Sequence, residues 1–336
     1  MSSAKKAFVT GATGFLGGHL VDALLARGAS VTALVRKTSP ELEAKGVHQV
    51  IGDVLDREAI AKAAVGHDAL YHAAGMVSRQ RSDAGALHEV NVKGTIATLE
   101  GAKAAGIHRA VVASTSGVVA VTEDADEVRT ESSPTPTAIV SRFPYYLSKL
   151  YAEEAALERN APGFEVIAVS PALLLGPGDR LGSSTGDVVD LLERRVPFIP
   201  AGGISFVDAR DAALAMILAF DKGKPGARYL VHAQNLTLRA FAERIARISG
   251  VKAPRVAVPR SPLFARLGAE AADRLRGNLP ALPAMDPVTA EMAQYYWYVD
   301  SSRARTELGF SPRDPMDTLA ETVEDLKARG VAWPRA

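Results

Sequence analysis

Short apolar runs alternate with helical patterns through the first half of this 336-residue chain, and that rhythm limits the fold more than any other feature. The runs lie at 7–10, 30–35, 47–51, 69–73, 110–114 and 165–170, while helical periodicity covers 15–27, a long stretch around 87–105 and another around 145–160. Strands this continuous in Val, Ile, Leu and Ala are buried on both faces, so the pattern predicts an α/β fold with a parallel sheet between two layers of helices. Gly28 and Gly106 stand where the first and the long helix should end. The acidic, Ser/Thr/Pro-rich stretch 121–137 reads as a loop. After Pro171 the rhythm breaks into glycine-rich loops at 176–179 and 182–186 and helices at 188–195, 238–248, 262–276 and 317–327. The expected division is 1–170 for the sheet domain and 171–336 for a smaller, mostly helical cap. Strand, helix and strand within about 203–232 are expected to return to the main sheet.

Hydrophobic residues make up 47% of the chain, enough for a large core. Lys and Arg number 39 against 38 Asp and Glu, and a net charge of +1 gives no electrostatic reason to expect nucleic acid or an anionic membrane. With no cysteine there is no disulfide, thiolate zinc cluster or cysteine nucleophile. The seven histidines are scattered without an HExxH pattern, so no metal site is expected. The first apolar run is too short for a signal-peptide core, and no later segment approaches the roughly 18 apolar residues of a membrane span. A cytoplasmic protein is expected.

Thr10-Gly11-Ala12-Thr13-Gly14-Phe15-Leu16-Gly17 falls between the first strand and the first helix. Glycines at this spacing, in this context, let a helix N-terminus approach a pyrophosphate. The second strand ends in Leu34-Val35-Arg36-Lys37, with no carboxylate to bond a free ribose 2′-hydroxyl and with two cations that suit a 2′-phosphate. NADPH is favoured over NADH, although Arg36 could instead stack on adenine or face solvent. Asp53, beside Val54, is placed either to accept from the adenine amino group or to cap the helix starting near Asp56. Far downstream, Tyr145 and Lys149 lie one helical turn apart, so the phenol and the ammonium share a face where a cation can lower a tyrosine pKa for proton transfer. Joined to the glycine turn, the pair suggests an oxidoreductase.

TGATGFLG at 10–17, GDVLD at 52–56, YHAAG at 71–75, NVKGT at 91–95, STSGVV at 114–119, YYLSK at 145–149 and SPALLLGPGD at 170–179 together resemble an extended short-chain dehydrogenase/reductase of the NAD-dependent epimerase/dehydratase superfamily. The ending, YVDSSRA at 298–304 and ELGF at 307–310, is similar to its dihydroflavonol-reductase and 3β-hydroxysteroid-dehydrogenase-like branch. The resemblance implies a Rossmann-type, doubly wound sheet with a C-terminal substrate cap. It makes Tyr145 the general acid in carbonyl reduction and Lys149 the group that binds the nicotinamide ribose and lowers the tyrosine pKa. Thr115 would polarise the substrate oxygen, with Ser114 and Ser116 each one position away. Gly11, Thr13, Gly14, Phe15, Leu16 and Gly17 would hold the pyrophosphate, while Ala73, Ala74 and Gly75 would offer small side chains and backbone. Pro171 would border the nicotinamide. Asn91 would shape the site or simply bend its helix. Family members often dimerise through two helices, here those around 87–105 and 145–160, yet the apolar residues on them would look similar in a monomer.

Sugar-nucleotide enzymes of this family commonly carry an asparagine before the Gly-Pro at 176–177, where this chain has Leu173, Leu174 and Leu175. The leucines favour an apolar substrate, unless they fill the core beneath the loop. Ser116, Tyr146 and Leu173 are candidate substrate contacts, and Phe198, Phe264, Tyr295, Tyr296 and Trp297 are further apolar candidates in the cap. Tyr151 should be a packing residue. The expected activity is reversible reduction of a ketone or aldehyde on a hydrophobic small molecule; a nucleotide-sugar epimerase or dehydratase, or a non-catalytic NADP-sensing protein, are the alternatives.

Overall fold

The computed structural model describes residues 4–196, 198–254, 256–257, 261 and 286–333. Six strands follow in the first half: β1 (Lys6–Thr10), β2 (Ser30–Val35), β3 (His48–Ile51), β4 (Ala69–His72), β5 (Arg109–Ala113) and β6 (Glu165–Pro171). Then β7 (Leu173–Leu175), β8 (Phe198–Ile199) and β9 (Gly203–Asp208) lie elsewhere, before β10 (Arg228–Val231) completes the sheet. The spatial order is β3-β2-β1-β4-β5-β6-β10, with every neighbouring pair parallel. Strand order reverses between β1 and β4, where Thr10 stands opposite His72, and doubly wound sheets take ligands in the crevice beyond such a reversal.

Side chains alternate across the sheet with period two. On β1, Ala7 and Val9 join the core beneath α1 (Phe15–Ala26) and α9 (Ala209–Lys222), while Phe8 joins the opposite core beneath α3 (Arg57–Ala63), α5 (Gly94–Ala104) and α7 (Pro144–Glu158). Burying a side chain such as Phe8, wholly inaccessible here, contributes roughly 2–3 kcal/mol. Gly28 and Gly106 take φ of 78° and 88°, the left-handed conformation expected after those helices. One expectation changes in the long helix. Rather than one regular helix over 87–105, the chain forms α4 (Ala84–Leu87), a π-helical turn at His88–Lys93, and α5. The shorter α2 (Pro40–Ala44) and α6 (Thr137–Val140) complete this half.

The C-terminal half has its own core of Leu175, Phe206, Phe241 and Leu319 among α8 (Gly186–Leu192), α10 (Leu238–Ser249), α12 (Pro315–Ala328) and a three-stranded sheet. That sheet corrects one expectation. β9 does not return to the main sheet: it pairs parallel with β7 and antiparallel with β11 (Gln234–Thr237), because Phe206 faces the cap core. Only β10 crosses back, with α9 packed on the main sheet beside α1. α8 ends three residues before the expected 195, and Arg194 takes a φ of 57° that no regular helix continues. A further helix, α11 (Pro287–Met292), precedes the C-terminal segment, and β12 (Val256–Ala257) pairs with β8. The helix expected at 262–276, with Phe264, lies outside the described residues. No helix among the described residues is long and apolar enough to cross a membrane.

Candidate active site

At the end of β1 the chain turns so tightly that each glycine has a distinct steric reason. Gly11 takes a φ of 76°, and a Cβ there would lie 2.5 Å from the backbone of Ala73 and Ala74, across the strand reversal. A Cβ on Gly17 would lie 2.0 Å from the carbonyl oxygen of Gly11. Gly14 donates its amide to that same oxygen at 2.9 Å and serves as N-cap of α1 without a side-chain acceptor. The first turn of α1 also lacks an acidic residue, so its free amides and positive dipole end suit an anion. Thr13 is exposed and Phe15 half-buried, whereas Leu16 turns its side chain into the core and offers only backbone.

The rest of the expected cofactor surface lies on neighbouring strand ends. Arg36 and Lys37 are exposed just beyond β2, and among the described residues neither has a carboxylate partner. Asp53 is exposed and accepts from the amide of Leu55 at 3.0 Å, while Asp56 accepts from Ala59 at 2.9 Å. The capping alternative for Asp53 is therefore corrected: Asp56 caps α3. Val54 is half-buried and packs so closely on α5 that a Cβ at Gly94 would come within 2.9 Å of its methyl. Ala73 and Ala74 are half-buried, Gly75 is exposed, and Pro171 is buried at the end of β6. The residues present fit a nicotinamide dinucleotide: a cradle that any side chain would fill, an uncapped helix start, and two exposed cations at the second strand end.

Pro144 opens α7 at a position where its missing amide costs nothing, placing Tyr145 and Lys149 in the first two turns. Lys149 is 8% exposed and donates to the carbonyl of Ala113, the last residue of β5, at 2.7 Å. Burial pulls its pKa down to about 8, against the opposing charge of Glu153. The expected lowering of the Tyr145 pKa does not occur here. Burial first and Tyr146 second push that phenol above its ordinary value, while the ammonium of Lys149 bonds the Ala113 carbonyl. Beside α7 runs the turn 114–118. Thr115 is half-buried and its hydroxyl accepts from the amide of Gly117 at 3.4 Å; Ser116 is buried, and the buried hydroxyl of Ser114 has no hydrogen-bond partner.

Tyr146 packs flat against Trp297, with ring centroids 4.8 Å apart and planes at 28°, and edge-on to Phe143 and Tyr145. Its ring occupies the space of a missing side chain at Gly117, where a Cβ would lie 2.2 Å from Cε1. Tyr295 is fully buried in the same cluster, whereas Tyr296 and Phe198 are half-buried. Leu175 is core, and Leu173 and Leu174 pack against the two cores that flank β7, so the three leucines do more filling than lining. Tyr151, expected to pack, is 44% exposed on α7.

Two groups escaped the sequence reading. Arg79 holds both oxygens of Asp187 at 2.8 and 2.9 Å and the hydroxyl of Thr289 at 3.1 Å, joining the loop after β4 to α8 and α11. His72, treated as one scattered histidine among seven, is 2% exposed and bonded through both ring nitrogens. Its place as the last residue of an apolar strand at the glycine turn was the available signal. Asn91 sits in the π turn, where its side-chain oxygen accepts from the Met76 amide at 2.7 Å and its nitrogen donates to the Met76 carbonyl at 3.0 Å and to Ser148 at 2.9 Å. It stands at the helix irregularity and ties that turn to the loop at Met76 and to α7.

Known proteins resemble this chain over nearly its whole length. A putative dihydroflavonol 4-reductase of Synechocystis is 33% identical over 96% of this chain and 95% of its own. A 4-hydroxy-2-methyl-3-oxo-4-farnesyl-3,4-dihydroquinoline-1-oxide ketoreductase of Stigmatella aurantiaca is 31% identical over 92% of each. Among solved structures, a double mutant of a dTDP-glucose 4,6-dehydratase from Streptomyces venezuelae with NAD bound superimposes with a TM-score of 0.74 at 25% identity, covering 97% of this chain and 98% of that one. With residues 7–231 matching the NAD dependent epimerase/dehydratase family, this chain belongs to that family and is an NAD(P)-dependent oxidoreductase of the extended short-chain type.

Proposed function

We propose that the protein reduces a ketone or aldehyde on a hydrophobic, aromatic or polycyclic small molecule, with NADPH preferred over NADH and the reverse alcohol oxidation also accessible. The observation that carries this reading is the placement of Tyr145 in the first turn of α7 with the buried Lys149 one turn on, beside the turn that holds Thr115. A protonated phenol is the form a general acid needs. When bound, the nicotinamide cofactor supplies a hydride to the carbonyl carbon. Tyr145 gives its proton to the carbonyl oxygen and is reprotonated before the next turnover. Lys149, with one donor spent on Ala113, has others to bond the nicotinamide ribose and to steady the tyrosinate. Thr115 donates to the substrate oxygen. Arg36 and Lys37, exposed just beyond β2 and without a carboxylate partner among the described residues, support preference for a 2′-phosphate.

An uncharged substrate is supported by the state of four arginines near the cap among the described residues. Arg79 is paired with Asp187, Arg142 with Glu291, Arg210 with Asp208 and Arg313 with Asp211. A diphosphate bound by any of these four would have to displace its carboxylate. The names of the dihydroflavonol reductase and the ketoreductase agree with this choice, while the dehydratase likeness supports the nucleotide-sugar alternative.

A panel of apolar carbonyls and nucleotide sugars, followed at the nicotinamide absorbance with both cofactors, decides between them. Net NADPH consumption with an apolar carbonyl is expected. Conversion of a nucleotide sugar without net cofactor use would overturn the reading. Tyr145→Phe should lose at least about 100-fold in kcat while still binding NADPH, and full activity in that variant would remove Tyr145 from its role. Assembly as a homodimer through α5 and α7, with Tyr151 on the shared face, is part of the proposal and is checked by sedimentation.

A further inference from the structure

A chain of hydrogen bonds runs from the glycine turn to the helix carrying Tyr145, and its directions can be assigned. The hydroxyl of Thr95 lies 2.6 Å from the carbonyl oxygen of Asn91, four residues earlier. A hydroxyl has one proton, and a carbonyl only accepts, so Thr95 spends its proton there. Toward Nε2 of His72, 3.0 Å away, Thr95 can therefore only accept, and Nε2 carries the hydrogen. His72 is buried and neutral: its pKa falls to about 3 through burial first and the charge of Lys149 second. Nδ1 is then bare and accepts from the hydroxyl of Thr10 at 2.7 Å. Each donor has one acceptor, from the last residue of β1 through the last residue of β4 to the π turn.

Beyond Asn91 the chain continues through its side chain. The amide group bonds Met76 twice and donates to Ser148, whose hydroxyl donates to the carbonyl of Tyr145 at 2.7 Å. Asn91 is 1% exposed and Thr95 3% exposed, so water does not compete for these groups. The π turn makes the support necessary. A wider turn aims Asn91 at Met76 and Ser148, and π turns are costly in isolation and persist where something holds them.

We propose that His72 is a positioning residue, which through Thr95 fixes the backbone of Asn91 and, through the Asn91 amide, fixes both the loop at Met76 and the first turn of α7. The inference rests on the reading of Tyr145 as the acid only where it concerns rate; where it concerns the loop it stands without that reading. Nothing in it requires His72 to touch substrate or to exchange a proton during turnover.

Thr95→Val keeps the shape of the side chain and deletes the middle link, while Thr95→Ser keeps the hydroxyl. The valine variant is expected to lower kcat by about 10- to 100-fold with the NADPH dissociation constant changed less than about threefold, and serine should recover most of the loss. Independently of any substrate, amide hydrogen exchange at Met76 should quicken at least about tenfold in the valine variant and return toward wild type in the serine one. His72→Asn, compared by circular dichroism and thermal melting, should behave like Thr95→Val; if it fails to fold, the Thr95 pair still decides. The proposal is overturned if Thr95→Val leaves the exchange of Met76 unchanged, or if Thr95→Ser, folded, recovers neither measurement. An inactive wild type with the expected exchange pattern would reject the proposed reaction and retain the role of His72.

Discussion

Lys149 shows how a residue can be placed against its own stability. Its cation is buried, and the unfolded chain binds its proton more tightly, so between about pH 8 and the ordinary lysine pKa unfolding takes up a proton and stability rises with pH. Lys149→Met should therefore melt higher than wild type at pH 7, lose that rise in stability on going to pH 10, and lose at least about 100-fold in activity. A lower melting temperature at pH 7 would mean that the bond to Ala113 outweighs the desolvation of the charge. Gly117 makes a different demand. Gly117→Ala puts a methyl where the Tyr146 ring stands, and should cost about 1–3 kcal/mol in denaturant unfolding and raise KM more than it lowers kcat. The Tyr145 and Lys149 pair was legible in the sequence because four residues make one helical turn. The orientation of Lys149 was not, since it depends on where β5 ends beside α7. Nor was the filled space at Gly117, which pairs a glycine with a tyrosine 29 positions later.

Strands and helices of the nucleotide-binding half were readable because apolar runs of four to seven residues have few other uses. β2 falls on residues 30–35, as its pattern indicates. Elements whose form depends on partners were not readable. The π turn at 88–93 shows no break in composition, and β9 looks as much like a main-sheet strand as β10 does; the neighbours of Phe206 decide its place. Between the two halves, Arg79 reaches across to α8 and α11, while Arg142 reaches the buried carboxylate of Glu291 and the hydroxyl of Tyr295. These ties lie beside an apolar seam in which Val140, Phe143 and Leu150 pack with Val288, Tyr295 and Val299. Arg79→Ala should raise KM for the carbonyl substrate by about tenfold, leave NADPH binding within about twofold, and speed proteolysis near α8. Unchanged KM and proteolysis would show that the clamp is incidental.

Over the whole molecule, acid should act through the buried His72 and the half-buried His232. His72 and His232 have pKa values lowered to about 3 and about 4, each chiefly by burial, so the unfolded chain binds protons that the folded chain refuses. Stability is complete above the ordinary histidine pKa and falls as the pH drops below about 6.5, by roughly 1.4 kcal/mol per pH unit for His72 alone. Urea unfolding at pH 7, 6 and 5 measures this, and His72→Asn, where it folds, should flatten the slope. A last consequence concerns how the protein is made. Because β10 closes the edge of a sheet begun by β1, and α9 covers the face beside α1, a ribosome must deliver some 231 residues before the nucleotide-binding half has all its walls. Until then β6 is a bare edge and the apolar side of α1 lacks its neighbour, a state that invites chaperones or aggregation. Residues 1–170 expressed alone should be insoluble or fail to bind NADPH, and should recover when 171–336 is supplied during synthesis. A chain stopped at the expected boundary of 170 thus lacks the last strand of its main sheet.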